Sequence, residues 1–343
     1  MTTTFHGFKM IADNISYHLL HLLETPGVGV AKAMSILERL TEKSKSAGNF
    51  FSDPRLLRGI LNEKQVSEYS ANKNKVDELW DRLNDIGVKV ISVTDDEYPQ
   101  RLKTLFGKKA PPLLMVLGNS GLLNKPSTGF CGSRKASEKG LDTAYDCAEQ
   151  LARREINIIS GYAAGVDMAA HRAALESVGT TTLVLCEGIL KFHIKREFKD
   201  IWDWRRIAVV SEFLPGIPWS VRNAMQRNKT ICALSNVMIL IEARTTGGSI
   251  EAGRESLKMG VPLFAPVYEG MPETATGNQE LLKQGARPLH KSRATGRANM
   301  REALSVFADS TATLPNENTG GYRIQHEGAG QLTLFEEQVG YKK

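Results

Sequence analysis

The spacing of hydrophobic residues changes along the chain. Up to Val88 they recur at helical intervals. ISYHLLHLLE reads as an amphipathic helix stopped by Thr25, Pro26 and Gly27. AKAMSILERL resumes the pattern, with Ala31, Met34, Ile36, Leu37 and Leu40 on one broad apolar side. The same spacing predicts helices over 54–61 and 73–86. Beyond Val88 the period shortens. VKVISV, LLMVLG, TGFCGS, INIISG, TTLVLCEG, AVVSEF, VMILIEA and PLFAPV are short, β-branched and almost continuously apolar, as strands buried on both faces are. Helix-like segments at 141–154, 168–178, 221–234 and 249–258 lie between them.

This alternation predicts an α/β fold: a doubly wound, mostly parallel, Rossmann-like sheet beside a small helical N-terminal domain. After residue 290 comes one helix-like piece, 297–307, and then STATLPNENTGGYRIQHEGAG. That stretch is polar and glycine-rich, with almost nothing to bury, and is expected to be a flexible tail. The expected domains are 1–92 (helical), 93–290 (sheet) and 291–343 (short helix and tail).

Charge adds little. Lys plus Arg outnumber Asp plus Glu, 44 to 38, a net +6 that suits a polyanion partner and equally a solvated surface. Cys131, Cys147, Cys186 and Cys232 are far apart and make no CxxC pair, which points to free thiols in a reducing cytosol and to no structural metal. No run approaches a membrane span and the start lacks a leader-like apolar core. A cytoplasmic protein without a cofactor is expected.

In an open α/β sheet ligands bind at the carboxyl ends of the strands, so the loops there carry the function. Gly132-Ser133-Arg134 follows TGFC and opens a helix-like segment. The glycine admits close approach, the serine can cap, the amides attract an anion, and Arg134 offers a bidentate donor. Ser160-Gly161-Tyr162-Ala163-Ala164-Gly165-Val166-Asp167 is a second turn of small residues. Here Asp167 reads as an N-cap and His171 as a structural histidine, with no second titratable group at a catalytic spacing. Arg222-Asn223 and Arg227-Asn228-Lys229 place donors along one helix, and TTGGS, with Gly248 and Ser249, closes a third such turn. Several such turns on one sheet predict an anion site longer than one phosphate. Tyr162 is the aromatic candidate for stacking on a base.

GSRKAS, SGYAAGVDMAAH, SEFLPG, RNKTICALS, EARTTGGSIEA and GNQELLKQGA occur in the order and spacing of the DprA/Smf family, which the chain resembles over 95–286. EYPQRL and VLGNSGLL resemble that family's entry into its Rossmann domain. The resemblance implies a non-enzymatic dimer that binds single-stranded DNA in a basic groove and cooperates with a RecA-type recombinase. It carries DNA contacts to Gly132, Ser133, Arg134, Ser160, Gly161, Arg227, Asn228 and Lys229. The sequence departs from the family pattern at Ala164, where Arg is usual, at Lys229, which ends RNK instead of RNR, and around Phe192 and Val221.

Two further motifs stand outside the sheet. LLETPGVGVAKA resembles a helix-hairpin-helix, whose Gly27, Gly29 and Lys32 would meet a DNA backbone; the alternative is a turn made for packing. In the tail, Gln331, Leu332, Leu334 and Phe335 of QLTLF resemble the bacterial sliding-clamp-binding peptide, against the alternative of a short segment packed on the fold. Other functions fit the same loops. TTGGSIEAG keeps the glycines and Glu251 of a phosphoribohydrolase PGG-x-GT-x-x-E signature but lacks its proline and Gly-Thr step, and would suit a nucleotide sensor or enzyme. A clamp-bridging protein without DNA affinity would explain the tail alone.

Overall fold

The computed structural model describes residues 14–42, 51, 57–270 and 273–311. The tail motif of Gln331, Leu332, Leu334 and Phe335 lies outside them. The N-terminal helices are α1 (Ile15–Leu23), α2 (Val30–Glu42), α3 (Glu63–Ala71) and α4 (Lys73–Asp85). Asn14 caps α1 by accepting from the Tyr17 amide. Over 57–61 the expected helix is replaced by a turn closed by a bridge between Arg58 and Leu61. The cause is local. Gly59 takes φ +87°, and Asn62 forms a capping box with Gln65 that starts α3 one residue later.

The chain then runs β1 (Lys89–Ser92), α5 (Gln100–Phe106), β2 (Leu113–Gly118), β3 (Ser127–Cys131), α6 (Glu138–Ala152), β4 (Asn157–Ser160) and α7 (Val166–Glu176). It continues through β5 (Thr181–Val184), β6 (Ile207–Ser211), α8 (Val221–Leu234), β7 (Val237–Leu240) and α9 (Gly248–Lys258). Last come β8 (Leu263–Pro266), α10 (Thr276–Lys283), β9 (Arg287–Leu289) and α11 (Arg301–Thr311). The helix expected from 297 starts at Arg301. Asn299 accepts from its amide, and Arg297 is held by Asp146 and Glu149 of α6.

The strands form one 9-stranded sheet in the order β1-β2-β6-β5-β4-β3-β7-β8-β9. From β6 to β9 the neighbours are parallel, while β1–β2 and β2–β6 are antiparallel. This is the doubly wound sheet that the sequence predicts. β3 to β6 build outward one way and β7 to β9 the other, so the winding reverses between β3 and β7. Alternation along β7 shows why the runs are continuously apolar. Val237 and Ile239 pack with α6 and α7, and Met238 and Leu240 with α8, α9 and α10. Each fully buried large side chain, such as Phe130 or Phe264, contributes on the order of 2 kcal/mol. The N-terminal helices pack through α1 on β1 and β2, at the edge of the sheet remote from the β3–β7 reversal.

Candidate nucleic-acid interface

The reversal of strand order opens a cleft of about 550 Å³ at the carboxyl ends of β3 and β7. Gly132, Ser133 and Arg134 line one wall, Gly248 and Ser249 the opposite one, and Arg227 and Asn228 reach in from α8. Chain segments more than a hundred residues apart in sequence thus form one site.

The walls present backbone. Ser133 Oγ accepts from the Lys135 amide at 3.0 Å, which fixes the turn and leaves the Arg134 and Lys135 side chains exposed at the mouth. Gly247, φ +109°, is the N-cap of α9, and no side chain caps the first turn. Its leading amides and dipole therefore face the cleft. Asn228 Nδ2 donates to the Gly248 carbonyl at 3.1 Å and braces this helix start. Arg244 stands exposed just before it.

Arg227 is the cationic group of the floor. Its side chain is 7% exposed, its Nη1 lies 3.7 Å from Asp167 Oδ2, and its buried Nε has no hydrogen-bond partner. It lies directly against Gly161, where a Cβ would come within 1.5 Å of Nη1. Any larger residue there would have to displace the Arg227 guanidinium and the Asp167 carboxylate. Asp167 sits in the first turn of α7, whose N-cap is Gly165, so its expected capping place is shifted; it accepts instead from the Ala163 amide at 3.2 Å. His171 is fully buried, with Nδ1 2.6 Å from Thr181 Oγ1 and Nε2 donating to the Gly161 carbonyl at 2.5 Å. Burial lowers its pKa to about 4, so the ring is neutral and structural, as the sequence reading has it.

Not every expected residue reaches the cleft. Ser160 is fully buried and donates to the Phe130 carbonyl at 2.8 Å, so its side chain serves the sheet. Lys229 pairs with Glu255 of α9 at 3.6 Å and does not line the cleft. Tyr162 packs against Phe192 and Phe198, with Lys195 Nζ 4.3 Å from its ring centroid. Its face is occupied, and Trp219, 49% exposed on the cleft wall, takes the place of the aromatic candidate. The signal for it was a lone tryptophan in the polar loop IPWSVRN ahead of α8. Glu242 opens the EARTTGG turn. It is fully buried at the end of β7 and accepts from the Ser137 amide, Ser137 Oγ and Thr274 Oγ1, tying β7 to the start of α6. At the remote helical hairpin, Gln65 Nε2 donates to the Gly27 carbonyl at 2.6 Å and Lys32 donates to Gln65 Oε1 at 2.8 Å. Gly29 stands just ahead of α2, with nothing close to where a Cβ would lie. Among the described residues no group of His, Cys, Asp and Glu clusters as a metal site, and no helix is long and apolar enough to cross a membrane.

The profile of DNA recombination-mediator protein A matches residues 89–297, which span the whole sheet. The chain belongs to this family. Its relative DNA processing protein DprA of Streptococcus pneumoniae is 32% identical over 198 residues, 57% of this chain and 69% of that one. The crystal structure of S. pneumoniae DprA aligns with a TM-score of 0.67 at 25% identity, covering 80% of this chain and 94% of the other. DNA processing protein A of Helicobacter pylori, described as having a unique single-stranded DNA binding mode, shares the fold at TM-score 0.52 and 22% identity, over 66% of this chain and 97% of its own. In this DprA-family domain the cleft at the β3–β7 reversal lies within the matched residues and is lined by residues of the GSRK, AAGVD, RNK and EARTTGGS motifs.

Proposed function

We propose that this chain binds single-stranded DNA along the β3–β7 cleft, through phosphates and with little base preference, as an accessory protein of recombination or transformation. The observation that carries this reading is Arg227. A nearly buried guanidinium lining the cleft, its Nε without a hydrogen-bond partner, between two glycine-built loops and an uncapped helix start, suits one phosphate oxygen. Arg134, Lys135 and Arg244 at the mouth extend the positive field along a strand, and Trp219 offers a face to a base. The single-stranded DNA binding described for the H. pylori protein supports the same assignment.

A binding role fits the floor better than a catalytic one. Its two carboxylates, Asp167 and Glu242, are held by Arg227 and by three donors respectively, and His171 is neutral behind the loop. Glu251, which a phosphoribohydrolase reading needs, pairs with Arg254 and does not line the cleft. A recombinase of the RecA type, a second copy of the chain, and a sliding clamp engaged by Gln331, Leu332, Leu334 and Phe335 are the partners we assign. Removal of 331–335 should abolish co-migration with a purified clamp and leave DNA affinity unchanged.

Fluorescence anisotropy with labelled single- and double-stranded oligonucleotides across a salt series tests the reading. Single strands should bind more tightly, with log affinity falling by about 0.7 per contacted phosphate for each decade of salt. Absence of binding at low salt would assign the cleft to a small nucleotide instead.

A further inference from the structure

The connection from β5 to β6 is long and forms its own small structure. It contains two 3₁₀ turns, Ile189–Lys191 and Arg196–Ile201. Connections of this length without longer helices or strands are uncommon in compact domains unless they do something. Its inner side is apolar. Phe192 and Phe198 are buried and pack in a ring cluster with Tyr162, Trp202 and Trp204.

Two sets of hydrogen bonds pin this strap beside the cleft. Gly188 N donates to the Ile217 carbonyl at 2.8 Å and Leu190 N to the Pro215 carbonyl at 3.1 Å. That segment leads directly into Trp219. On the other side, Lys195 N donates to Tyr162 Oη at 2.9 Å, and Lys195 Nζ to the Tyr162 carbonyl at 2.7 Å. The next residue, Ala163, lines the cleft. The strap is therefore fixed to the cleft's rim by both flanking loops.

Its outer side is charged, with a basic excess. Lys191, His193, Arg196 and Lys199 are exposed, and among the described residues none of them makes an ion pair. Glu197 and Asp200 share the surface, while Arg205 and Arg206 are both committed to Asp203. In sheet order the carboxyl ends run β7, β3, β4, β5, so the strap stands two strands beyond the cleft. At a strand spacing of about 4.8 Å this is a step of about 10 Å, short for a strand of DNA already seated in the cleft.

We propose that the exposed basic face of the 188–201 strap is a second contact surface for single-stranded DNA, taking the phosphates of nucleotides that leave the cleft past β4. This rests on the DNA reading of the cleft. The surface is open and offers separate charges rather than a shaped pocket, so it suits a continuing polyanion and not a small ligand. It adds affinity for length without adding base preference.

The test uses the full chain and its Lys191→Ala/Arg196→Ala/Lys199→Ala variant, with labelled oligothymidylates of about 4 and about 20 nucleotides, spanning the site sizes of single-strand-binding folds. The variant should bind the short oligonucleotide as the parent does. Its affinity for the long one should fall at least tenfold at low salt, with a log–log salt slope shallower by about 2, the share of three lost phosphate contacts. Unchanged affinity for the long oligonucleotide would overturn the strap surface and leave the cleft standing. Equal loss on both lengths would also overturn it, since the strap would then only shape the cleft. A parent protein that binds neither length would overturn the cleft and the strap together.

Discussion

Arg227 and Asp167 face each other at 3.7 Å beneath Gly161, both nearly buried, at a distance too long for a hydrogen bond. Asp167 neutralises the guanidinium without saturating it, so part of the cation remains available to the cleft. The pair joins α8 to α7 and puts the stability of the loop and its affinity for an anion on the same two side chains.

Arg227→Met should lower stability by about 3 kcal/mol, because it leaves Asp167 buried without a counter-charge. Adding Asp167→Asn to that variant should recover most of the loss and none of the DNA affinity. Urea denaturation and anisotropy on the same samples check both halves. Recovery of DNA binding in the double variant would show that Arg227 does not touch the strand.

Arg134 and Trp219 should separate charge from stacking. Arg134→Ala removes an exposed cation, so affinity falls and the salt slope flattens by about 0.7 while thermal stability stays the same. Trp219→Ala should weaken binding by about 1–3 kcal/mol with the slope unchanged, the signature of a lost base stack. Titrations at several salt concentrations distinguish the two.

His171 makes stability depend on pH. Its folded pKa of about 4 lies below the ordinary 6.5, so between those values the unfolded chain binds the extra proton. Its contribution is complete above pH 6.5 and is lost as pH falls toward 4, a change on the order of 3 kcal/mol. Denaturation midpoints measured from pH 7 to pH 4 should fall accordingly, and less steeply in His171→Gln.

Val178 ends the turn after α7 at φ +58° while 79% exposed. A β-branched residue is strained in that left-handed conformation, and here little burial offsets the strain. Val178→Gly should raise stability by about 1 kcal/mol, the relief of strain exceeding the entropy glycine adds to the unfolded chain. A thermal melt decides it, and a lower midpoint would mean that the entropy glycine adds to the unfolded chain outweighs the strain relieved.

Much of this molecule was legible before any coordinates. Continuous apolar runs gave most strands of the parallel sheet, since a strand covered on both faces has no polar side to show. β9 escaped because RPL at a sheet edge has exposed side chains and no apolar run, and α5 because QRLKTLF is too short for a period. Over 57–61, Gly59 and the Asn62–Gln65 box outweighed a weak apolar spacing.

The site divides the same way. The glycine turns and Arg134 could be named from the sequence because backbone approach and helix starts leave local marks, and local marks survive in one dimension. What only the tertiary structure decided is which of the neighbouring donors face the cleft. Arg227 and Lys229 stand two residues apart on α8, yet one is buried against Asp167 and the other pairs outward with Glu255. At 100° per residue, two positions on a helix point to different faces, and only the packing of α8 against α7 and α9 chooses between them. The same holds for Trp219 and Tyr162, and for the strap that carries Lys191, Arg196 and Lys199. Their chemistry is written in the chain, and their direction is set by what lies beside them in space.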